Sequence, residues 1–519
     1  MSLKKRLAAV LVVAIAAGLT FGIAKSGREI TEKQEEIIFS PEKETIYLWY
    51  TDEILTSFLS SVAVSYNETH DVRVVPVLES GPEYLEKINQ ATIAGEGPDL
   101  YIIGNDSLEK AYLAGLAEEV EPSGTEAMKD EYIGTGLLAA TYKDKIIGYP
   151  FYFETSALIY NKTYLQDMAV TRMQAEEVQA AEDAGLLTNE AIEEAEQAKE
   201  ASADTAKETV AEPAYTQEQI TQKMQEILPS NMEEMKTFAD SYDAPAQVEG
   251  VFKWDVTDIF YNYFFVGNAI SVGGEAGWDP EQIDIYNQNS IESMKVYQEM
   301  NQFFSIETAQ SDYESILDEF INGKMVFTVA TTDAVFKLED AKADGLFDYE
   351  YGVTTLPDIN EELGTRPLSV TSCVVVNGYA LDHRQAANDF AHYLTVQNAD
   401  QLYGRTSKVS AAANVDYGYE ALSVFEKEYE KSISMPKMLE TSNFWVKLEA
   451  AFSEIWNGAD ANEKLRTLSE EIMTQVTGED YQESYLEDTA AKQEETEEEQ
   501  QQDASSEEQA EASEEEAFD

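Results

Sequence analysis

The stretch Lys145 to Leu165, KIIGYPFYFETSALIYNKTYL, limits what this chain can become more than any other. Two apolar and aromatic runs, Ile146 to Phe153 and Ser156 to Tyr160, flank a charged residue and a hydroxyl, Glu154 and Thr155. Runs without polar alternation predict strands buried on both faces. Tyr149-Pro150 punctuates the first run, because proline has no backbone donor and sits poorly in a central strand. A carboxylate in such surroundings is costly unless it is paired or hydrogen-bonded. Two readings follow: a solvated loop tip, or a chain crossing from one domain to another with Glu154 facing a cleft and accepting hydroxyl hydrogen bonds.

At 519 residues the chain is long for a single core, so two or more globular units are expected. A formal charge of −65 argues against nucleic acid and anionic membrane surfaces as partners, since both attract Lys and Arg. Cys373 is the one cysteine, so neither an intramolecular disulfide nor a cysteine metal cluster can form, and its neighbours Val374 to Val376 mark it as a buried thiol. His70, His383 and His392 form no close ligand pair, which leaves a metal site without support. No cofactor is expected. The phosphate-cradling GxxxxGK[ST], and GxGxxG, GxSxG and HExxH, are all missing.

Lys4, Lys5 and Arg6 precede an apolar run from Leu7 to Ala24, about 27 Å long as a helix and close to bilayer thickness. Residues 1–24 are expected to be a signal peptide or an N-terminal membrane anchor, with 25–43 as a tether. Gly22 and Ala24 supply a small-residue cleavage site, and no cysteine lies nearby to accept a lipid. Export to the cell surface or periplasm follows, without lipoprotein attachment.

After this leader, strand-like runs at Thr45 to Tyr50, Val72 to Leu78 and Leu100 to Ile103 alternate with helical patterns at Ile54 to Tyr66 and Tyr84 to Ala94. That alternation predicts an α/β layer with a mostly parallel sheet, whose ligands sit at the carboxyl ends of strands. Asp52, Asn105 and Asp106 fall just past such ends. Residues 166–227, rich in Ala, Glu and Gln, read as an inserted helical arm. Helices are expected at Met232 to Tyr242 with Ser230 as a cap, at Val256 to Gly274, Ile291 to Phe304, Tyr313 to Asn322, Arg384 to Thr395, Ser423 to Tyr429 and Phe444 to Trp456. Strands are expected at Lys324 to Ala330, Tyr351 to Pro357 and Leu368 to Asn377, with Thr331-Thr332-Asp333 as a loop. Residues 488–519 are an acidic tail whose composition cannot offset the entropy of ordering.

Trp49, Phe260, Tyr261 and Trp445 mix with polar residues at element ends. Such aromatics are core in the plain reading. In the functional one, sugar faces stack on their rings while carboxylates take the hydroxyls. Paired carboxylates would also suit a glycosidase, but with 100 acidic residues any required separation arises by chance.

Four stretches in order resemble the extracellular solute-binding proteins of ABC importers, in the maltose-binding subfamily. They are Gly97-Pro98-Asp99 through Asp106 and on to Glu118, Tyr149-Pro150 through Lys162, Phe320 through Thr328 with Tyr351 to Pro357, and Met435-Pro436 through Trp445. The resemblance implies an α/β, two-lobed, hinge-bending periplasmic-binding-protein fold of type II with a ligand cleft between the lobes. It implies lobe 1 from 44–153 plus 374–415 and lobe 2 from 154–373 plus 416–487, with further crossings near Ser369 to Cys373 and Asn414 to Tyr419. It implies a non-enzymatic, monomeric protein that binds a carbohydrate and delivers it to a membrane permease. The ligand-facing positions it carries over are Trp49, Asp52, Asp106, Glu154, Tyr261, Asp333 and Trp445. Two aromatics of the subfamily are missing, with Thr331-Thr332-Asp333 and Ile103 in their places. At about 1 kcal/mol or more each, their loss counts against maltodextrin itself and toward another sugar. The alternatives are a binding protein for a non-sugar solute, a sensor or scaffold partner, and, with less support, a glycoside hydrolase.

Overall fold

A computed structural model describes residues 43–487 apart from 80, 82, 121, 184–214, 309 and 310. The expected leader, the tether before Lys43, the middle of the arm and the acidic tail lie outside the described residues. Among those described, no helix is long and apolar enough to cross a membrane.

Ten strands form the main sheet: β1 (Glu44–Tyr50), β2 (Val72–Leu78), β3 (Leu100–Gly104), β4 (Tyr149–Asn161), β5 (Gly250–Phe252), β6 (Met325–Thr331), β7 (Tyr351–Thr354), β8 (Leu368–Val376), β9 (Val409–Ser410) and β10 (Ile433–Ser434). Their order is β2-β1-β3-β8-β4-β6-β5, with β7 and β9 added on β4 and β10 on β8. The two runs around Glu154 are thus one 13-residue strand, buried along its length except at Glu154. Its first half, Tyr149 to Thr155, pairs with β8, and Tyr152 and Phe153 also meet β9. From Ser156 onward it pairs with β6 on one side and β7 on the other. The strand therefore changes partners between Thr155 and Ser156. Pro150 stays inside it because the facing strand shifts register between Ser372 and Cys373, which relieves the ladder of the missing donor.

The expected mostly parallel sheet is corrected to a mixed one. The pairs β1/β3, β5/β6 and β8/β10 are parallel, whereas β3/β8, β8/β4, β4/β6, β4/β7 and β4/β9 are antiparallel. The physical reason is that β4 and β8 carry the chain through the middle of the sheet as strands, so no helical crossover fixes a parallel direction there.

The apolar residues divide on either side of this change of partner. Tyr50, Phe58, Phe151 and Phe390 belong to one cluster, and Trp254, Phe265, Tyr297, Phe327 and Trp456 to another. Between them Phe153 stacks on Tyr429 with ring centres 3.8 Å apart and planes within 2°.

Three local expectations are also corrected. The continuous helix expected over Val256 to Gly274 is a short helix, Ile259–Asn262, then a 3₁₀ turn, Tyr263–Phe265, and a strand, Ser271–Val272. Tyr263, Phe264 and Phe265 are all fully buried, so the chain cannot present a polar face. The Asn262 amide instead donates to the carbonyls of Asp255 and Asp258 and accepts from the Trp254 indole, pinning a compact turn. The cap of the helix Met232–Ser241 is Asn231, whose side chain accepts from the Glu234 amide at 2.9 Å. Ser230 donates to the Glu234 carboxylate instead. Asp333, expected in a loop, opens a helix, Asp333–Ala343, with acidic charge at the N-terminal end as the helix dipole favours.

The described part of the arm is two helices, Lys162–Asp183 and Gln217–Ile227, joined by a Lys223–Glu176 ion pair at 2.5 Å. Met168, Ala169, Met224 and Ile227 are buried, so the base of the arm is part of the core.

Gly267 passes so close to Arg366 that a Cβ would lie 1.9 Å from the Arg366 carbonyl oxygen. Gly267→Ala forces the backbone apart and is expected to cost on the order of 2–4 kcal/mol. Gly134, with open space around it at the start of a helix, is the control: Gly134→Ala is expected to be neutral or to stabilise by up to about 1 kcal/mol. Thermal denaturation of the two variants checks this, and equal melting temperatures would refute it.

Candidate functional site

Asp52 and Glu154, far apart in sequence, meet at Lys408. Asp52 follows β1 and caps the 3₁₀ turn Glu53–Leu55, its carboxylate accepting from the Ile54 amide at 3.1 Å. Glu154 is the one position of β4 that reaches solvent. Val409 lies opposite Phe153 in the antiparallel pair of β9 and β4, so Lys408 falls opposite Glu154. Its Nζ lies 2.5 Å from Glu154 Oε1 and 3.6 Å from Asp52 Oδ2. The same ammonium sits 5.3 Å from the centre of the Tyr152 ring, a cation–π distance. Burial alone would lower Lys408, but Glu154, Tyr152 and Asp52 together raise its pKa above the usual lysine value, so it stays charged. Glu154 keeps 40% of its side-chain surface, so an oxygen of this group is open to a ligand.

A second group lies two residues along the same strand. Thr331, the last residue of β6, pairs with Ser156. The Thr331 and Tyr313 hydroxyls both donate to Asp333 Oδ1, at 2.5 and 2.8 Å. Lys337, one turn along the helix, reaches Asp333 Oδ2 at 2.8 Å and lies 5.0 Å from the centre of the Tyr313 ring. Burial would raise the Asp333 carboxyl, yet Lys337, Thr331 and Tyr313 hold it below the ordinary aspartate value. Tyr261 stacks on Tyr313 with ring centres 4.9 Å apart and planes 18° from parallel. The structure therefore brings Tyr261 and Asp333 together through Tyr313.

The other predicted residues stand apart in the contacts they make. Asp106 follows β3, one strand over from β1, in the turn Asn105–Ser107. Burial raises its carboxyl above the usual range, against amide and Ser107 hydrogen bonds that lower it. Trp49 is half-buried and packs on the cluster of Tyr101, Ile103 and Cys373, and Trp445 leans on Tyr263 at 5.6 Å. Both therefore serve packing on at least one face.

Sequence reasoning missed Lys408, Tyr152, Tyr313 and Lys337, and it missed Asn105 as a tie. The Asn105 amide donates to the Met435 carbonyl at 2.8 Å, and its oxygen accepts from the Thr371 amide at 2.9 Å. Only the register of β9 on β4 singles out Lys408, and no local pattern carries that. Burial pushes the Cys373 thiol up to about 12, so it stays protonated, in keeping with a buried thiol. Among the described residues no group of three His, Cys, Asp or Glu side chains could hold a metal ion.

The sequence pattern of the family described as bacterial extracellular solute-binding protein matches residues 61–415. A maltotriose-binding protein of Pyrococcus abyssi (strain GE5 / Orsay) is 32% identical over 108 residues, 21% of this chain. The chain matches only 23% of that relative's length. Among solved structures, an extracellular solute-binding protein from Staphylococcus aureus in complex with maltose superposes with a TM-score of 0.62 at 20% identity, covering 84% of this chain and 98% of that one. A maltose-binding periplasmic protein from Listeria monocytogenes in complex with maltose gives 0.61 at 20% identity, covering 85% and 100%. At such identities the likeness speaks for the fold, a two-lobed α/β architecture of the periplasmic-binding type. With the family pattern covering well over half of the chain on a fold shared nearly end to end, this protein belongs to the bacterial extracellular solute-binding proteins.

Proposed function

We propose that this chain is the substrate-binding component of an ABC importer, taking a carbohydrate between its two lobes and delivering it to a membrane permease. The observation that carries the reading is the Asp52–Lys408–Glu154 group on the Tyr152 ring, set where β4 changes partners. An ammonium between two carboxylates, beside an aromatic ring, offers donors and acceptors side by side, as vicinal hydroxyls require. The names of the similar proteins, which bind maltose and maltotriose, point to the same chemical class.

In this reading Asp52, Glu154 and Asp106 accept hydroxyl hydrogen bonds, Asp333 accepts through its group with Thr331, and Trp49, Tyr261 and Trp445 supply apolar faces. Where the aromatic is missing at Thr331-Thr332-Asp333, Tyr313 and Tyr261 stack on each other, with the Tyr313 hydroxyl bonded to Thr331 and Asp333. The lobes are 44–153 with 374–415, and 154–373 with 416–487, and the change of partner in β4 supports the first boundary. Closure about the crossings traps the ligand. The protein works as a monomer and is exported, with residues 1–24 either a cleaved signal peptide or, left uncleaved, a membrane anchor.

A thermal-shift screen of mono- and oligosaccharides, amino acids, polyamines and anions tests the substrate class. A sugar at about 100 times its dissociation constant is expected to add roughly 2.7 kcal/mol of stability. Glu154→Ala is expected to weaken that sugar by about 1–3 kcal/mol, because it removes a charged acceptor and leaves Lys408 with a more distant partner. A shift from another solute class with silence from every sugar overturns the carbohydrate. The anchor is tested separately: mature protein in the membrane fraction should retain residues 1–24, and soluble protein beginning at Lys25 would sink that part.

A further inference from the structure

We propose that the end of the acidic tail, around Phe518, docks as an added strand on the free edge of β7. That strand pairs with β4 alone, so its other edge is unpaired among the described residues. Register tells which groups the edge carries. The Lys162 amide donates to the Glu350 carbonyl at 2.8 Å, and Tyr351 faces Asn161 across the pair. Alternation in an antiparallel ladder then puts Gly352 and Thr354 in bonded pairs with β4 and turns the amides and carbonyls of Tyr351 and Val353 outward. The strand, Tyr-Gly-Val-Thr, has no lysine and no proline to blunt that edge.

The edge runs along a groove of about 620 Å³. One wall is the helix Gln217–Ile227, which contributes Thr221 and Met224, and the other is the helix Glu420–Lys431, which contributes Ser423 and Val424. Two such walls keep the edge of a second sheet away but admit a single extended chain, the mode in which a peptide adds to a sheet edge. Tyr160, Tyr351 and Tyr419 also line the groove. The Tyr160 ring lies so close over Gly352 that a Cβ there would be 2.1 Å from it.

Charge and reach name the occupant. With 100 acidic residues against 35 basic ones, most of the surface repels an acidic segment. In the groove Lys162, Lys342 and Lys427 stand against Glu339, Glu350 and Glu420, an even balance. Lys342 pairs with Glu350 at 2.8 Å, and Glu339 accepts from the Tyr351 hydroxyl. Among the described residues no carboxylate pairs with Lys162 or Lys427. Residues 488–519 are rich in Glu and hold one aromatic, Phe518, next to the C-terminus. Straightened, they span about 105 Å, whereas a globule of about 450 residues has a radius of gyration of about 22 Å. The tail carboxylates answer the two lysines, and Phe518 answers the tyrosines and Met224. The groove thus supplies the apolar contact that the tail's own composition lacks, and tethering raises the local concentration of its end. Docking closes an edge that otherwise recruits foreign strands.

Residue-resolved hydrogen exchange on the full-length chain tests this, with the amides of Gly352 and Thr354, bonded to β4, as internal controls. The Tyr351 and Val353 amides are expected to be protected tenfold or more over those of a chain ending at Glu487. A synthetic peptide of residues 508–519 added to that shorter chain should restore the protection. Phe518→Ser in the full-length chain should remove it, which decides even if the shorter chain fails to fold, and Lys427→Glu should weaken it severalfold. Equal exchange in the wild type and Phe518→Ser overturns the docking, whether both are fast or both are slow. Protection that rises with protein concentration gives the groove to the tail of a second copy and also overturns it.

Discussion

The structure depends on one electrostatic compromise, a carboxylate placed in the middle of a strand that is otherwise buried. Glu154 cannot be desolvated unpaired, because an isolated buried charge costs far more than a fold of this size can spare. Two features meet that demand. The strand exchanges its neighbours between Thr155 and Ser156, and this break in the packing leaves Glu154 with an outlet to solvent. A lysine from a distant part of the chain, Lys408, is delivered to it by strand register. Neither arrangement makes sense without the other. A paired but sealed carboxylate would serve stability poorly, and an open but unpaired one would leave Lys408 half-buried without compensation.

That same break separates the apolar packing into clusters on either side of the Phe153–Tyr429 stack. Where the clusters approach each other, directional polar contacts take over from hydrophobic ones. Asn105 joins β3 to β8 and to Met435, and the Thr371 and Tyr429 hydroxyls share a bond of 2.6 Å. Such bonds specify a geometry while contributing only about 1 kcal/mol net each, since water replaces them when they open. A continuous apolar interface at the same place would hold the two sides together over its whole area. Polar junctions suit the bending proposed for this place.

How much of this was legible in the sequence follows from how local each signal is. The strand Val72–Leu78, and the helices Tyr84–Ala94 and Phe444–Trp456, have the bounds expected from sequence, and Gly95 in the left-handed region marks where the first helix stops. Glu154 stood out because it interrupts an apolar run. The segment 256–274 failed for the opposite reason: its aromatics are buried on every side, so periodicity held no information and the side chain of Asn262 decided the turn. Lys408 was invisible because it is one lysine in an ordinary loop until β9 docks on β4. Tyr313 was placed correctly at the head of its helix, but its pairing with Tyr261 depends on how two distant elements pack.

The two lysines show how one residue type is set to opposite tasks by its surroundings. Lys408 and Lys437 are both largely withdrawn from water, and burial acts on both in the direction of the neutral amine. Lys408 faces two carboxylates and an aromatic ring, which outweigh burial and fix its charge. Lys437 donates instead to the carbonyl oxygens of Leu138, Ala139 and Thr141, and there burial is the largest influence, pulling its pKa down to about 7. The first lysine is therefore a constant feature of the proposed ligand surface. The second ties the 435–439 segment to the 138–141 turn through backbone carbonyls. The difference comes from partner chemistry rather than depth, which is why neither role could be read from the residue type or from its neighbours in sequence.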